Sequence, residues 1–323
     1  MSRHLPKSVI ALTAFALVSL VLLTYHRYRD VAQLTLPWSA HVDASAVVGP
    51  EGGNNADPLI VHYIHLQTNP STVSFLDCMA VVSVMKNLQP DFIYYHTNYP
   101  DHWPFDPCNK YHDNWTTIKI IPVHRRFRLN GKRIHHTHHE ADVIRLENLQ
   151  KYGGLALDFD VIVINGAKLR ALLREHACII CDEPLYPQLL NSGFLGCKLG
   201  ARFPGMMLHV YHTDYRPSEW VYNSGNTAFF FWSAEPALIH VVPDVCNYNI
   251  HTRGIYLDQR GSYLWEKGER VALHTFLHGR DFDEAEAMKR QSSFGDLLRW
   301  IMKGAPVLPS ATGNASALAG KQT

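Results

Sequence analysis

Two aspartates separated by one residue interrupt an apolar stretch of the chain, at Asp158 and Asp160 within Lys151–Ile164. The run behind Gly153 and Gly154 predicts one buried β-strand, which places both acids on the same face. Two neighbouring carboxylates repel each other, and removing each from water costs several kcal/mol. A divalent cation that also binds phosphate oxygens would compensate this cost. Contact with water or basic residues at a strand end is the alternative.

A predicted helix before this strand carries two more candidate residues. The pattern from Glu140 favours a helix that ends near Tyr152, with Gly153 as its left-handed cap. Asp142 and Arg145 lie one turn apart on one side of it. Ligands of doubly wound sheets bind outside the carboxyl ends of the strands. Together with the two later acids, this pair suits a metal-bound diphosphate that carries a polyhydroxy group; a surface ion pair is the alternative.

Strand and helix signals alternate in the first part of the domain. Residues 59–66, 91–96 and 116–121 predict strands, and residues 72–88 predict a helix with apolar residues at helical spacing. This alternation is typical of an α/β fold with a Rossmann-like, doubly wound, mostly parallel sheet. We expect the folded domain to span residues 58–303.

The ends of the chain predict a membrane anchor, a stem and a tail. Residues 1–8 are expected to form a cytoplasmic tail, and the apolar residues 9–25 a transmembrane signal anchor; a signal-peptide core is the alternative, because the run is short for a span. Residues 26–57 predict a polar stem. Residues 281–303 predict one amphipathic helix, and residues 304–323 a disordered tail.

Composition and short motifs bear on the compartment. The formal net charge of +1 gives no indication of a nucleic-acid partner. Glycosylation patterns at Asn114 and Asn314, with six cysteines, favour an oxidising lumen. Six cysteines allow fifteen pairings, which stay open, and Cys178 and Cys181 have no second such pair for a zinc site. Together these features favour a lumenal domain behind an N-terminal anchor, in a glycosylated, single-pass type II protein; the expected location is the Golgi membrane.

Four histidines within residues 135–139 also invite a metal interpretation. On a helix, His135 and His139 share a face. The run stands at the start of the predicted helix, where polar first turns are common. A solvated or packed face is therefore the default interpretation, and a metal site is the alternative.

The segment from Ala141 to Asp160 resembles a known family. It has Asp142, then Arg145, then Asp158-x-Asp160, at the spacing of the Asp-x-Asp sugar transferases of glycosyltransferase family 32. That family includes animal α-1,4-galactosyltransferases and α-1,4-N-acetylglucosaminyltransferases and fungal α-mannosyltransferases. The spacing is also similar to that of the glucosyltransferase domains of large clostridial toxins.

Two later segments resemble the same family, over roughly residues 58–280 in all. Residues 191–196 are similar to its Asn-x-x-Phe strand, and residues 272–278 to its Ala-x-His-aromatic segment. The resemblance implies an A-type glycosyltransferase fold, Mn²⁺ or Mg²⁺, and transfer with retention at the anomeric carbon. It implies a nucleotide-sugar donor, with UDP-galactose or UDP-N-acetylglucosamine favoured, and a glycan or glycolipid acceptor.

The resemblance also implies roles for single residues. Asp160 is expected to bind the metal directly, with His274 as a late metal or diphosphate contact or, alternatively, a buried structural histidine. Asp158 is expected to reach the ribose and donor sugar hydroxyls, together with the metal. Asp142 and Arg145 are expected to bind the donor sugar, and Arg145 also the diphosphate.

Asn191 and Gly154 complete the predicted site. Asn191 is expected to line the sugar pocket, or alternatively to cap a strand; with Gln188 and Asn226 it is a candidate for steadying an oxocarbenium-like transition state. Gly154 is expected to let the backbone approach the donor closely. Ala156 replaces a tyrosine of the family pattern, so an aromatic contact with the donor is missing.

Two other functions fit parts of the sequence. A phosphatase of the haloacid dehalogenase type also has a strand that ends in Asp-x-Asp, and Asp158 would be its nucleophile. The position of the motif, about 100 residues into the domain, and the lack of a convincing Gly-Asp-x-x-Asp pair disfavour it. The second alternative is a lumenal protein that keeps the fold but has lost turnover, an interpretation that Ala156 keeps open.

Overall fold

A computed structural model describes residues 58–183, 186, 188–246, 270–277 and 282–303. The predicted cytoplasmic tail, anchor, stem and C-terminal tail lie outside the described residues. Within the described part of the chain, no helix has the length and hydropathy that a membrane span requires.

The described elements alternate along the chain much as the sequence predicts. The strands are β1 (Ile60–His65), β2 (Phe92–Thr97), β3 (Ile118–Pro122), β4 (Arg128–Leu129), β5 (Lys132–Arg133), β6 (Gly154–Leu157), β7 (Val161–Val163), β8 (Cys178–Asp182), β9 (Leu190–Cys197), β10 (His240–Val242) and β11 (Ala272–His274). The α-helices are α1 (Phe75–Ser83), α2 (Thr137–Tyr152), α3 (Gly166–Glu175), α4 (Arg202–Thr213), α5 (Thr227–Ala234), α6 (Glu284–Lys289) and α7 (Ser293–Lys303). Two π-helical turns, Val84–Leu88 and Tyr222–Asn226, follow α1 and precede α5.

Seven strands form the central sheet, in the order β10-β8-β9-β6-β1-β2-β3. Every neighbouring pair is parallel except the two pairs that β9 makes. Six strands therefore end at one edge of the sheet, where β9 begins; we call it the carboxyl edge. The mostly parallel sheet is as predicted.

Apolar side chains cover both faces of the sheet. Leu155 and Leu157 of β6 pack in the cluster that includes residues of α1, α3 and α7, whereas Ala156 packs in the cluster with α2, α4 and α5. This alternation confirms the doubly wound arrangement. Ala156 is fully buried, so the position that carries a tyrosine in the family pattern lies within the core of this protein.

Local capping sets the ends of the first two helices. The helix predicted over residues 72–88 begins after Ser74, whose Oγ accepts a hydrogen bond from Asp77 N at 3.2 Å while Asp77 accepts one from Ser74 N at 2.8 Å. The helix predicted to end near Tyr152 ends there, and Gly153 follows with φ 65°. Both predictions rest on local chemistry and are confirmed.

The single helix expected over residues 281–303 is wrong, because the structure has α6 and α7 in its place. Arg290 leaves α6 with extended backbone angles. Ser292 Oγ then accepts a hydrogen bond from Gly295 N at 3.2 Å. A serine that satisfies a free N–H at a helix start favours a new helix over continuation of the old one.

Three disulfides use all six cysteines: Cys78–Cys108, Cys178–Cys197 and Cys181–Cys246. The two cysteines of the predicted Cys-x-x-Cys pattern thus belong to different disulfides. Disulfides are typical of oxidising compartments, and the location of the protein itself stays a prediction.

Candidate functional site

The Asp-x-Asp segment is a turn between two sheets, and the single continuous strand that the sequence predicts is wrong. β6 ends before Asp158, and among the described strands β7 pairs with β11 alone, in a separate two-stranded sheet. Asp158 N donates to Gly193 O of β9 at 2.8 Å, and Val161 N donates back to Asp158 O at 3.1 Å. The two acids therefore project from a turn and not from one face of a strand.

Phe159, between the two acids, explains why the turn forms. Its ring centroid lies 4.7 Å from that of Tyr63 and 5.1 Å from that of His65, so the aromatic side chain packs inward. The side chains of Asp158 and Asp160 keep 43% and 17% of their exposure at the carboxyl edge. A turn lets the carboxylates stay hydrated, whereas a continued buried strand would desolvate them.

The pairing of β11 with β7 brings a distant histidine to these acids. His274 lies opposite Val161 in that antiparallel pair, and Thr275 N donates to Asp160 O at 2.9 Å. His274 Nε2 lies 3.1 Å from Asp160 Oδ1. The potential ligand atoms of Asp158, Asp160 and His274 all lie within 4.8 Å of one another. The structure thus brings the three predicted metal ligands together.

Gly193 keeps the space between these groups open. A Cβ at this position would lie 2.6 Å from Asp158 Oδ2, 2.8 Å from Asn191 Oδ1 and 2.8 Å from His274 Cε1. Gly193 belongs to the family-like segment of residues 191–196, whose pattern indicates no role for it. Its requirement for glycine is spatial and becomes visible only when the three neighbours are placed.

The donor set fits a divalent cation. Carboxylates suit Mg²⁺ and Mn²⁺, and imidazole suits transition metals, so the mixed set fits Mn²⁺ better than Mg²⁺. Burial lowers the pKa of His274, but Asp160, Asp158 and Glu183 outweigh it, and the pKa is raised overall. A cation bound here would replace the proton that this carboxylate field favours.

The Cys181–Cys246 disulfide supports His274 from the side away from Asp160. Cys246 Sγ lies 3.4 Å from His274 Nδ1, and His274 N donates to Val245 O at 2.9 Å. Cys181 Sγ lies 3.5 Å from Asn191 O. The disulfide therefore fixes the imidazole between two segments that are distant in sequence.

Arg145 links Asp158 to the interior of the protein. Its guanidinium contacts Asp158 Oδ1, and its Nη1 donates to Asp142 Oδ1 at 2.8 Å. Asp142 also accepts hydrogen bonds from Tyr211 Oη at 2.9 Å and Ser192 Oγ at 3.3 Å. Buried and bonded in this way, Asp142 holds Arg145 in place, since a buried charge needs such partners. Its predicted contact with a donor sugar stays a prediction.

A small cavity adjoins this ion pair. Its lining includes Asp142, Arg145, Ser192 and Ser224, and its volume of about 10 Å³ suits one water molecule. Arg145 Nε is buried and has no hydrogen-bond partner among the described residues. A water molecule or a ligand oxygen in the cavity would satisfy it.

Glu183 is a further acid at the site that the sequence analysis does not single out. Asn191 Nδ2 donates to Glu183 Oε1 at 2.6 Å, and Asn191 Oδ1 accepts from Gly193 N at 2.7 Å. Burial raises the pKa of Glu183, against the opposing effects of Asn191 and His274. Asn191 therefore uses its amide within the protein, and its contact with a donor stays a prediction. Only the position of Glu183 directly after β8, at the carboxyl edge, signals a functional role.

Gln188 and Asn226 lie near the start of β9, whereas Gly154 is the first residue of β6. Asn226 Nδ2 donates to Gln188 O at 3.0 Å, which joins their two segments near the start of β9. Gly154 has φ 99°, and a Cβ there would collide with Ile60 O of β1. The close approach that Gly154 allows is thus to a neighbouring strand; its predicted contact with a donor stays a prediction.

The histidine run packs against Trp220. The ring centroids of His138 and His136 lie 3.7 and 5.0 Å from that of Trp220. Nε2 of His138 and Nε2 of His139 each lie 3.1 Å from Trp220 O. In the described residues, no histidine of this run belongs to a group of potential metal ligands, so the arrangement agrees with the packed-face interpretation.

Comparisons with known proteins give structural neighbours alone. No protein-family model and no curated protein matches the chain. The solved structures include the glycosyltransferase GlyE of Streptococcus pneumoniae TIGR4 (14% identity, TM-score 0.42, 80% of this chain and 66% of that chain). They also include the galactosyltransferase LgtC with donor and acceptor sugar analogues (12%, 0.42, 78% and 98%) and the PaToxG glycosyltransferase (13%, 0.38, 56% and 71%). At these low similarities we draw the function from the site and not from the neighbours.

Proposed function

We propose that the protein is a metal-dependent glycosyltransferase that moves a hexose or N-acetylhexosamine, with retention, from a nucleotide sugar to a glycan or glycolipid. The observation that carries the proposal is the meeting of Asp158, Asp160 and His274 at the carboxyl edge, beside the Arg145 guanidinium. Nucleotide ligands bind at this edge in doubly wound sheets. The family resemblance favours UDP-galactose or UDP-N-acetylglucosamine as the donor.

Four side chains at the site provide charge or metal ligands, and one glycine keeps space open between them. Asp158, Asp160 and His274 would hold Mn²⁺ or Mg²⁺, which when bound neutralises charge that develops on a departing diphosphate. Arg145 adds a fixed positive charge beside Asp158. Gly193 keeps the volume between the ligands free.

Acidic and amide side chains are candidates for contacting the face of the donor sugar that lies opposite the diphosphate. Glu183 and Asn191 are joined by a 2.6 Å hydrogen bond, and Asn191 is tied to Gly193 beside Asp158. A carboxylate or amide oxygen here would stabilise positive charge at the anomeric carbon. Gln188 and Asn226 stay alternatives for this role. Retention itself is proposed from the family resemblance.

The proposal extends to location. The apolar run within residues 9–25 and the acceptor patterns at Asn114 and Asn314 support a single-pass type II protein of the Golgi membrane with a lumenal domain. Asn114 lies in an exposed loop, where its Oδ1 accepts from Thr116 N at 3.1 Å. Glycosidase digestion of the protein from secretory cells tests this extension.

A hydrolysis assay tests the activity. The full-length protein in detergent is incubated with a panel of nucleotide sugars and Mn²⁺, and released nucleotide is measured. Asp160→Ala should abolish turnover with little loss of folding, because it removes a metal ligand and no core volume. Asp113→Ala, which alters an exposed acid elsewhere, is the control.

Other results of this assay distinguish the alternative functions. Consumption of phosphate esters in place of nucleotide sugars would indicate the phosphatase alternative. No turnover of either class would favour the catalytically silent protein. Wild-type transfer by Asp160→Ala at saturating donor would contradict the site assignment.

A further inference from the structure

We propose that Trp220, supported by His138, is a stacking platform for the terminal hexopyranose ring of an oligosaccharide acceptor. The inference rests on the proposed function and names the acceptor side of the same site. Sugar rings have apolar C–H faces, and burying such a face on an aromatic ring removes apolar surface from water.

Exposed aromatic side chains are concentrated at the carboxyl edge. In the described residues, five large hydrophobic side chains are exposed: Phe127 (73%), Trp220 (61%), Leu199 (53%), Met288 (51%) and Tyr186 (44%). Phe127 and Tyr186 are in segments that follow β3 and β8, whose carboxyl ends lie at this edge. Leu199 follows β9, the antiparallel strand, and so lies at the opposite edge.

Trp220 contacts the start of α2, the helix that also carries Asp142 and Arg145. Its carbonyl oxygen lies 3.1 Å from the Nε2 atoms of His138 and His139. Because α2 leads into β6, its first turn stands at the carboxyl edge. His138, Asp142 and Arg145 follow one another on the same side of the helix. His138, which supports the platform, is thus about 10 Å along the helix axis from Arg145, which contacts the Asp158 carboxylate.

The chain after Trp220 makes a second connection to the site. Four residues later, Ser224 lines the cavity that Asp142 and Arg145 also line. Asn226 then donates to Gln188 O at 3.0 Å, next to the start of β9. The segment from Trp220 to Asn226 therefore runs from an exposed aromatic ring directly to the interior of the site.

The platform is rigid and lacks formal charge. Trp220 is held by ring contacts with His138 and His136 and by the contacts to its carbonyl group. Burial lowers the pKa of both His138 and His139, against the opposing effect of the Trp220 carbonyl. An uncharged, immobilised aromatic surface suits a neutral sugar ring at little cost in conformational entropy.

Saturation-transfer NMR on the full-length protein in detergent tests the proposal without a donor. The probes are lactose, N-acetyllactosamine and the methyl glycosides of galactose, glucose and N-acetylglucosamine. Wild type is compared with Trp220→Ala, the conservative Trp220→Phe, and Leu199→Ala as an exposed apolar control at the opposite edge. We expect Trp220→Ala to weaken binding of the best probe at least about 10-fold, with Trp220→Phe close to wild type and Leu199→Ala unchanged.

Metal-dependent hydrolysis of the donor is measured on the same variants. Leu199→Ala should leave it unchanged, and Trp220→Ala should lower it far less than it lowers glycan binding, since the ring contacts described for Trp220 are with His136 and His138. The proposal is overturned if no probe binds the wild type, if Trp220→Ala binds as well as wild type, or if hydrolysis and binding fall together. Donor hydrolysis without glycan binding would leave the proposed function standing and remove the platform. Glycan binding that depends on Trp220, without donor hydrolysis, would support the platform and contradict the proposed function.

Discussion

His274 and a buried pair of histidines, His62 and His96, behave in opposite ways. His274 lies at the carboxyl edge, where carboxylates outweigh burial and raise its pKa. His62 of β1 and His96 of β2 lie on adjacent strands, and burial lowers their pKa values to about 4 and about 3. The same side chain is therefore prepared for a charged role in one place and a neutral structural role in the other, and the neighbouring groups decide which.

The buried pair has one consistent arrangement of protons. His62 Nε2 lies 2.9 Å from Gly153 O, which can only accept, so this nitrogen carries the proton. His62 Nδ1 then accepts from His96 Nε2 at 3.0 Å. His96 Nδ1 is buried with no hydrogen-bond partner in the described part of the chain. A neutral pair thus supports the backbone at Gly153, directly ahead of β6.

The largest expected effect separates His274 from the histidine run. His274→Gln should lower metal-dependent donor hydrolysis by about 1,000-fold, because loss of a ligand removes several kcal/mol of transition-state stabilisation. His135→Gln, in an exposed member of the run, should leave the rate unchanged. Initial rates over a Mn²⁺ titration measure both, and equal losses in the two variants would contradict the site.

The pH dependence of stability separates His274 from the buried pair. A lowered pKa in the folded state means that the unfolded chain takes up protons first, so stability falls as pH drops from about 6.5 towards 4. The loss should be about 3 kcal/mol per histidine. For His274 the sign reverses: its ion pair stabilises below about pH 6.5, and the contribution is lost as pH rises through the raised pKa.

Urea unfolding of the metal-free protein between pH 4 and 8 measures this effect. The double variant with His62→Gln and His96→Gln should be less stable at pH 7 but show a flatter dependence on acid pH. His274→Gln should leave the acid slope in place. A slope that persists unchanged in the double variant would show that other groups cause it.

Gly193 tests whether the open volume matters as much as the ligands. Gly193→Ala places a methyl group 2.6 Å from Asp158 Oδ2 and 2.8 Å from His274 Cε1, which forces the ligands apart. We expect donor hydrolysis to fall about 100-fold with an unchanged circular dichroism spectrum. Gly205→Ala is the matched control, because its methyl group would meet only the flexible end of Gln150; a similar loss there would refute a local cause.

The smallest expected effect concerns the charge of Glu183. Glu183→Gln keeps an oxygen for the hydrogen bond from Asn191 but removes a negative charge that acts on His274. Mn²⁺ affinity, measured by electron paramagnetic resonance, should fall about 10-fold, as for supporting groups around metal ligands. Glu175→Gln, in an exposed acid at the end of α3, should have no effect. An unchanged affinity in Glu183→Gln would limit Glu183 to a packing role.

Elements whose signals are local could be predicted from the order of the amino acids. Alternating apolar strands and helical spacing predict the doubly wound sheet, and a single helix places Asp142 and Arg145 one turn apart because three residues nearly complete a turn. The end of α2 at Gly153 follows because glycine tolerates a positive φ, here 65°. Each of these features depends on residues within a few positions of one another.

The assembly of the site depends on contacts between distant segments, which the sequence pattern does not reveal. The pairing of β11 with β7 sets His274 beside Asp160, and the inward packing of Phe159 converts a predicted strand into a turn. The neighbours of Gly193 and Glu183 come from separate strands. Contacts between residues far apart in sequence depend on strand order and register, which follow from burying the whole apolar core at once.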